Sequence, residues 1–153
     1  MSSVADQLVQ LCIVRIGREL YAVDLKRIDE ILPMPGLTPV PRAPKFLEGV
    51  VRLRGDVLPV VDARKRLQVA STAGDAVTPS GKPRRTERMM VCRVGPRRVG
   101  VLVDAVMAVR RVLRTALRPA PLATPHVLGV TGDGDQVTML LDVKALLTED
   151  ASS

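Results

Sequence analysis

Gly49-Val50-Val51-Arg52-Leu53-Arg54-Gly55-Asp56-Val57-Leu58-Pro59-Val60-Val61-Asp62 sets two short β-branched runs on either side of an Arg-Gly-Asp turn. β-Branched residues favour strands, and Gly55-Asp56 has the backbone freedom a tight hairpin needs. The second run stops at Asp62, which suits the N-cap of a short helix through Ala63-Arg64-Lys65-Arg66-Leu67. The pattern returns in the second half of the chain. Gly129-Val130 leads to Leu140-Leu141-Asp142 and then Val143-Lys144-Ala145-Leu146-Leu147, and Gly129 stands as far from Asp142 as Gly49 does from Asp62.

A second pair of segments extends the repeat. Arg15-Ile16-Gly17 leads to Val23-Asp24-Leu25, and Arg93-Val94-Gly95 leads to Val103-Asp104-Ala105. Two copies are too few for a solenoid, which needs about three. They suit two small, pseudo-equivalent subdomains packed together. Counted along the chain, the pattern predicts about ten short strands with small connectors, the spacing of all-β barrels, in which closure removes exposed edges. The boundaries read as subdomain 1 over about 15–69, a flexible linker over 70–87 and subdomain 2 over 88–148, within one 153-residue domain. The first strand, 8–14, is open to sharing with subdomain 2. The linker reading rests on Ser, Gly and Pro without apolar periodicity.

Asp24 suits the N-cap of Leu25 to Ile31, a helical turn that can unwind into a strand. Leu37 to Val40 reads as a short edge strand between prolines, and Ala43 to Glu48 as a turn or short helix carrying Phe46. Ala105 to Leu113 is mostly apolar and of open type.

Tyr21 and Phe46 are the only aromatic residues, so Val, Leu, Ile and Met fill the core of a chain that is 46% hydrophobic. No run approaches the ~18 apolar residues of a membrane span, and no secretory signal opens the chain. Cys12 and Cys92 sit at corresponding places in apolar strands, which favours buried free thiols in a reducing cytosol over a disulfide.

Net charge is +7 and unevenly placed. Lys82, Arg84, Arg85, Arg88, Arg93, Arg97 and Arg98 face only Glu87, and Arg110, Arg111, Arg114 and Arg118 form a second group. Such a patch suits nucleic acid or an anionic membrane. The alternative is Arg standing where other proteins use Lys. The near absence of aromatic residues to stack on bases favours the second reading.

No catalytic constellation stands out. His126 is the one histidine, in a loop beside Pro125, without a Cys or Ser arranged around it. Gly132-Asp133-Gly134-Asp135 is a calcium loop in miniature, but it lacks the spacing and distal Glu of an EF-hand, and a β-turn explains it better. Asp62 and Asp142 are accounted for as helix caps. No metal or cofactor site is expected, and the chain suits recognition by a surface better than catalysis.

Phe46-Leu47-Glu48-Gly49-Val50-Val51-Arg52-Leu53-Arg54-Gly55 with Val57 to Arg64 resembles the signature of CheW-type chemotaxis coupling proteins. So do Tyr21-Ala22-Val23-Asp24, Ile28-Asp29-Glu30-Ile31 and Val99 to Val106. The match runs from about Gln7 to Leu147. It implies two five-stranded, SH3-like barrels and a non-enzymatic, cytoplasmic adaptor. Such an adaptor joins the regulatory domain of a CheA-type histidine kinase to the cytoplasmic tips of chemoreceptors. The membrane is then reached only through receptor arrays, and no nucleic acid is involved. A chain of this length looks like the adaptor itself rather than the kinase or the CheV version. Carried over by motif, the receptor groove holds Ile28, Glu30, Gly49, Leu53, Arg54, Gly100, Val106 and Val109, and the kinase surface holds Leu37, Thr38 and Val40. Arg54 is expected to pair with Glu30, as an Arg–carboxylate fork does. Gly49 and Gly100 would allow close backbone approach. Leu53, Val106 and Val109 read equally well as plain core. The chain departs from the family at Arg52, where Asn is usual, in a first strand without Phe, and in a longer, more basic linker. These departures point toward a specialised pathway, such as surface motility, development or a second chemosensory system.

Overall fold

The computed structural model describes residues 7–72, 86–120, 126–133 and 136–147. Ten strands run in order: β1 (Leu8–Ile16), β2 (Glu19–Asp24), β3 (Ile28–Pro33), β4 (Leu47–Leu53), β5 (Asp56–Asp62), β6 (Arg88–Val94), β7 (Arg97–Val103), β8 (Ala105–Leu113), β9 (Val127–Asp133) and β10 (Gln136–Leu141). Two one-turn helices, α1 (Ala63–Arg66) and α2 (Val143–Leu146), follow β5 and β10. The strands form two five-stranded sheets, ordered β8-β1-β2-β10-β9 and β3-β6-β7-β5-β4.

Each sheet is largely closed by a crossing segment. Thr38, after β3, exchanges backbone hydrogen bonds with Val50 in one barrel, and Arg118, after β8, does so with Val130 in the other. The two bridges fall at equivalent places in the two copies, so the sequence repeat is also a structural one. In each, a glycine sits against the crossing chain. A Cβ on Gly49 would stand 2.6 Å from the Thr38 carbonyl oxygen, and one on Gly129 would stand 2.5 Å from that of Arg118.

The sheets do not follow the halves of the chain. The hairpin β1–β2 of the first half joins β8, β9 and β10 of the second, and β6–β7 joins β3, β4 and β5. The seams are parallel: β2 beside β10, and β5 beside β7. A division into 15–69 and 88–148 therefore cuts across both barrels, and β1 pairs with β8 along nearly its whole length.

Strand period explains the composition. Side chains alternate across a strand. In β1, Val9, Leu11 and Ile13 fill the interior of one barrel, while Cys12, Val14 and Ile16 face the other barrel. In β6, Met89 and Val91 fill the second barrel, while Met90 and Cys92 face the first. Burial on both faces is why these strands read as continuous apolar runs rather than alternating ones. Three cores result, two within barrels and one between them, and the between-barrel core holds Tyr21.

Several local expectations sharpen. Asp24 does cap, but only a 3-10 turn over Leu25–Arg27, after which the chain extends as β3. The expected edge strand at 37–40 reduces to the single bridge of Thr38. Ala105 to Leu113 is a strand. Both cysteines are buried free thiols. Burial, and then the neighbouring Cys12, push the Cys92 thiol up to about 12. Residues 73–85 of the expected linker lie outside the described residues, whereas Thr72 and Thr86 on either side are hydrogen-bonded to the body of the protein.

Candidate functional site

The rim of the second barrel is built by β3 and the β4–β5 turn. Arg54 and Gly55 both have positive φ, 50° and 86°, as a tight two-residue hairpin turn requires. The turn carries the Arg54 guanidinium back onto Glu30 of β3, to which it donates. The Glu30 side chain is 17% exposed and that of Arg54 69%. The pair anticipated from the motif is therefore formed, a sheltered carboxylate met by an outward-facing cation.

The other groove candidates divide. Ile28, at the start of β3, and Val106, at the start of β8, both pack on the core between the barrels. Val109, further along β8, is 54% exposed. Leu53 packs on the interior of its own barrel. Gly49 and Gly100 are buried, and their space is taken from within the chain. A Cβ on Gly100 would stand 2.6 Å from the Met89 sulfur and 3.1 Å from Val60. Of the kinase-face candidates, Leu37 leans on the second barrel's core, Thr38 makes the closing bridge and Val40 is exposed.

A second constellation joins Asp62, Arg64 and Asp104, which the sequence motifs contain but do not bring together. Asp104, at the end of β7, is fully buried. One of its oxygens accepts from the Gly17 amide at 2.6 Å. The other accepts from Thr72 N at 3.0 Å, from Arg64 Nη1 at 3.1 Å and from the Ser71 hydroxyl. Arg64, in α1, is itself buried and grips Asp62 with two hydrogen bonds, Nε to Oδ1 at 2.8 Å and Nη2 to Oδ2 at 3.0 Å. It also donates to Glu87 at 2.8 Å. Thr86 donates to the Asp104 carbonyl at 2.6 Å, and Thr72 donates to that of Gly17 at 2.7 Å. The network thus clamps residues 71–72 and 86–87, the ends of the expected linker, onto β1, β7 and α1. Burial alone would raise the Asp104 pKa. The hydrogen bonds from Ser71, the Gly17 amide and Arg64 outweigh it and hold the carboxyl below its ordinary value. Burial disfavours the charged Arg64, and its carboxylate partners, Asp62 first, reverse that and raise its pKa. The signal for this network was an Asp-Ala-Arg step at the end of an otherwise apolar strand.

The basic stretch is not a uniform field of cations. Arg93 pairs with Asp29 at 2.8 Å, Arg98 pairs with Asp56, and Arg88 donates to the Glu87 carbonyl. Lys82, Arg84 and Arg85 lie outside the described residues. Arg110, Arg111, Arg114 and Arg118 meet no carboxylate among the described residues. His126 accepts the Asp142 amide on its carbonyl at 2.7 Å, and its ring lies 3.3 Å from Arg66, whose guanidinium covers Phe46. Among the described residues no group of three or more His, Cys, Asp or Glu is placed to hold a metal ion, and no helix is long and apolar enough to cross a membrane.

Two strand-exchanged barrels, with polar chemistry used for clamps and large apolar residues left on edge strands, define a double-barrel recognition scaffold. The chain belongs to the CheW-like domain family, whose model matches residues 10–151. It is 29% identical to the chemotaxis protein CheW of Klebsiella aerogenes over 146 residues, which is 92% of this chain and 82% of that one. It is 34% identical to the protein FrzA of Myxococcus xanthus over 141 residues, 88% of this chain and 82% of that one. The crystal structure of the scaffolding protein TtCheW from Thermoanaerobacter tengcongensis superposes with a TM-score of 0.80 at 23% identity, covering 93% of this chain and 89% of that one. With this family goes the role of a chemotaxis coupling adaptor.

Proposed function

We propose that the chain couples the cytoplasmic tip of a chemoreceptor to the regulatory domain of a CheA-type histidine kinase, without turnover of its own. It is drawn to the membrane only through the receptor array. The observation that supports this most is the Glu30–Arg54 pair. An exposed surface ion pair contributes only roughly 0–1 kcal/mol to stability. Arg in the left-handed region costs about 1–2 kcal/mol. The turn therefore keeps an arginine where asparagine or glycine would be more stable, as happens when a strained residue serves recognition. Val109 is exposed and Ile28 and Val106 are half-buried at the core between the barrels, and we assign them the apolar surface that a helical receptor hairpin needs. Leu37, Thr38 and Val40 are assigned to the kinase side.

The test is a pull-down with a receptor cytoplasmic fragment and the kinase from the same genome. Arg54→His and Arg54→Asn should each lose receptor capture and keep kinase binding. Arg54→Asn should melt at or above the wild-type temperature. Undiminished receptor capture by both variants would reject the assignment of this rim.

A further inference from the structure

The two barrels are related by the sequence repeat, and one pair of equivalent positions has opposite charge. In β3, Glu30 pairs across the ladder with Val91 of β6. In β8, Arg110 pairs across the ladder with Leu11 of β1. The offset from Leu11 to Val91 equals that from Gly49 to Gly129, and so does the offset from Glu30 to Arg110. Arg110 therefore occupies in the first barrel the place of Glu30 in the second. The repeat position of Arg54 is Gly134, which has no side chain to offer. Where the second barrel holds a carboxylate and its guanidinium, the first holds a guanidinium with no carboxylate from the described residues.

Arg110 lines a cleft of about 360 Å³ between β8 and the β9–β10 hairpin. Val112, Leu113 and Ala116 supply accessible apolar walls and Thr131 a hydroxyl, whereas Leu11, Ile13 and Thr138, which also line the cleft, are buried. Arg111 opens onto the same cleft, and Arg114 follows at the end of β8. β8 is an edge strand, paired only with β1. An unpaired strand edge is a template for another chain.

We propose that this cleft docks an extended segment of a partner protein, one that carries a carboxylate among apolar side chains and seats that carboxylate on Arg110. The intermolecular contact would then repeat the Glu30–Arg54 pair of the other barrel with the charges exchanged, the strand supplying the guanidinium and the partner the carboxylate. The apolar walls select against a bare anion, and the guanidinium groups of Arg110 and Arg111 in the cleft select for a carboxylate over an amide. Nothing in this assignment depends on the receptor or kinase reading.

The full chain, isotopically labelled, is titrated with a short peptide alternating valine with glutamate. The controls are the same peptide with glutamine, acetate, and inorganic phosphate. The acidic peptide should shift the signals of Val112, Leu113, Ala116 and Thr131 saturably, and less so as salt rises. Arg110→Met should weaken binding about tenfold, the scale of one lost charge-assisted hydrogen-bonded pair, and Arg110→Glu more. Arg110 is exposed, so an unchanged Tm checks that both variants fold. Absence of saturable shifts, equal binding of the glutamine peptide, equal binding by the variants, or acetate or phosphate binding as tightly as the peptide would each overturn the proposal.

Discussion

Arg64 shows how one side chain holds a fold together without being visible as such in the sequence. The Arg64 side chain is 8% exposed and is shared among Asp62, Glu87 and Asp104. Removing one partner from a buried charge cluster leaves the others uncompensated, at a cost of about 3–5 kcal/mol. Arg64→Met should therefore lower Tm by on the order of 10 °C, read by thermal circular dichroism. The pH dependence follows from Asp104. Its carboxyl sits below the ordinary value of 3.8 when folded. A depressed carboxylate stabilises the native state fully above the ordinary value, and that stabilisation is lost as pH falls below the ordinary value and through the folded one. Acid titration of Asp104→Asn should show a flatter loss of stability in that window than wild type. An equally steep loss would mean that other carboxylates carry the acid sensitivity. The Glu30–Arg54 pair was legible because the family resemblance placed both residues in one groove. The Arg64 clamp was not, because Ala63-Arg64-Lys65-Arg66 offers three cations in a row and spacing does not say which turns inward.

Among the elements, the two one-turn helices are the clearest case of a local signal that fixes local structure. Four residues are too few for a helix to hold itself, since nucleation is unfavourable. What holds α1 and α2 is their caps and their packing. Asp62 accepts from the Arg64 amide and Asp142 from that of Ala145. Val143 and Leu146 bury against the core between the barrels. Asp142→Ala should cost about 1 kcal/mol, the usual value of a lost cap. Asp62→Ala should cost clearly more, because Asp62 also holds Arg64. Equal losses in chemical denaturation would place the strength of the clamp elsewhere. The caps were readable from a polar residue at the end of an apolar run. The element after Asp24 was less so, because Leu25, Ile28, Ile31 and Leu32 satisfy a helical period while the register with β6 keeps only the first turn coiled. The bridge at Thr38 was readable only as a strand, since prolines on either side of the segment leave one residue able to pair.

At the scale of the whole molecule, the repeat was legible and its connectivity was not. Hydrophobic period and matched Gly and Asp positions say how many strands exist and which are equivalent. They do not say whether a hairpin completes its own copy or the other one, because equivalent strands present equivalent patterns. The structure takes the exchanged solution, with β1–β2 inserted beside β8 and β10 and β6–β7 inserted beside β3 and β5. This has a consequence for folding. In a side-by-side arrangement, residues 7–72 and 86–147 would each form a barrel. In the exchanged arrangement neither segment has a complete sheet, and the Arg64 clamp also joins Asp62 of one half to Asp104 of the other. Expressed alone, each segment should lack cooperative unfolding and expose apolar surface to a fluorescent dye. Mixed in equal amounts, the two should recover the thermal transition and the far-ultraviolet spectrum of the intact chain. Recovery should weaken with dilution, because the connector no longer keeps the halves at high effective concentration. A segment that melts cooperatively by itself would show that the exchanged pairing is dispensable to each barrel.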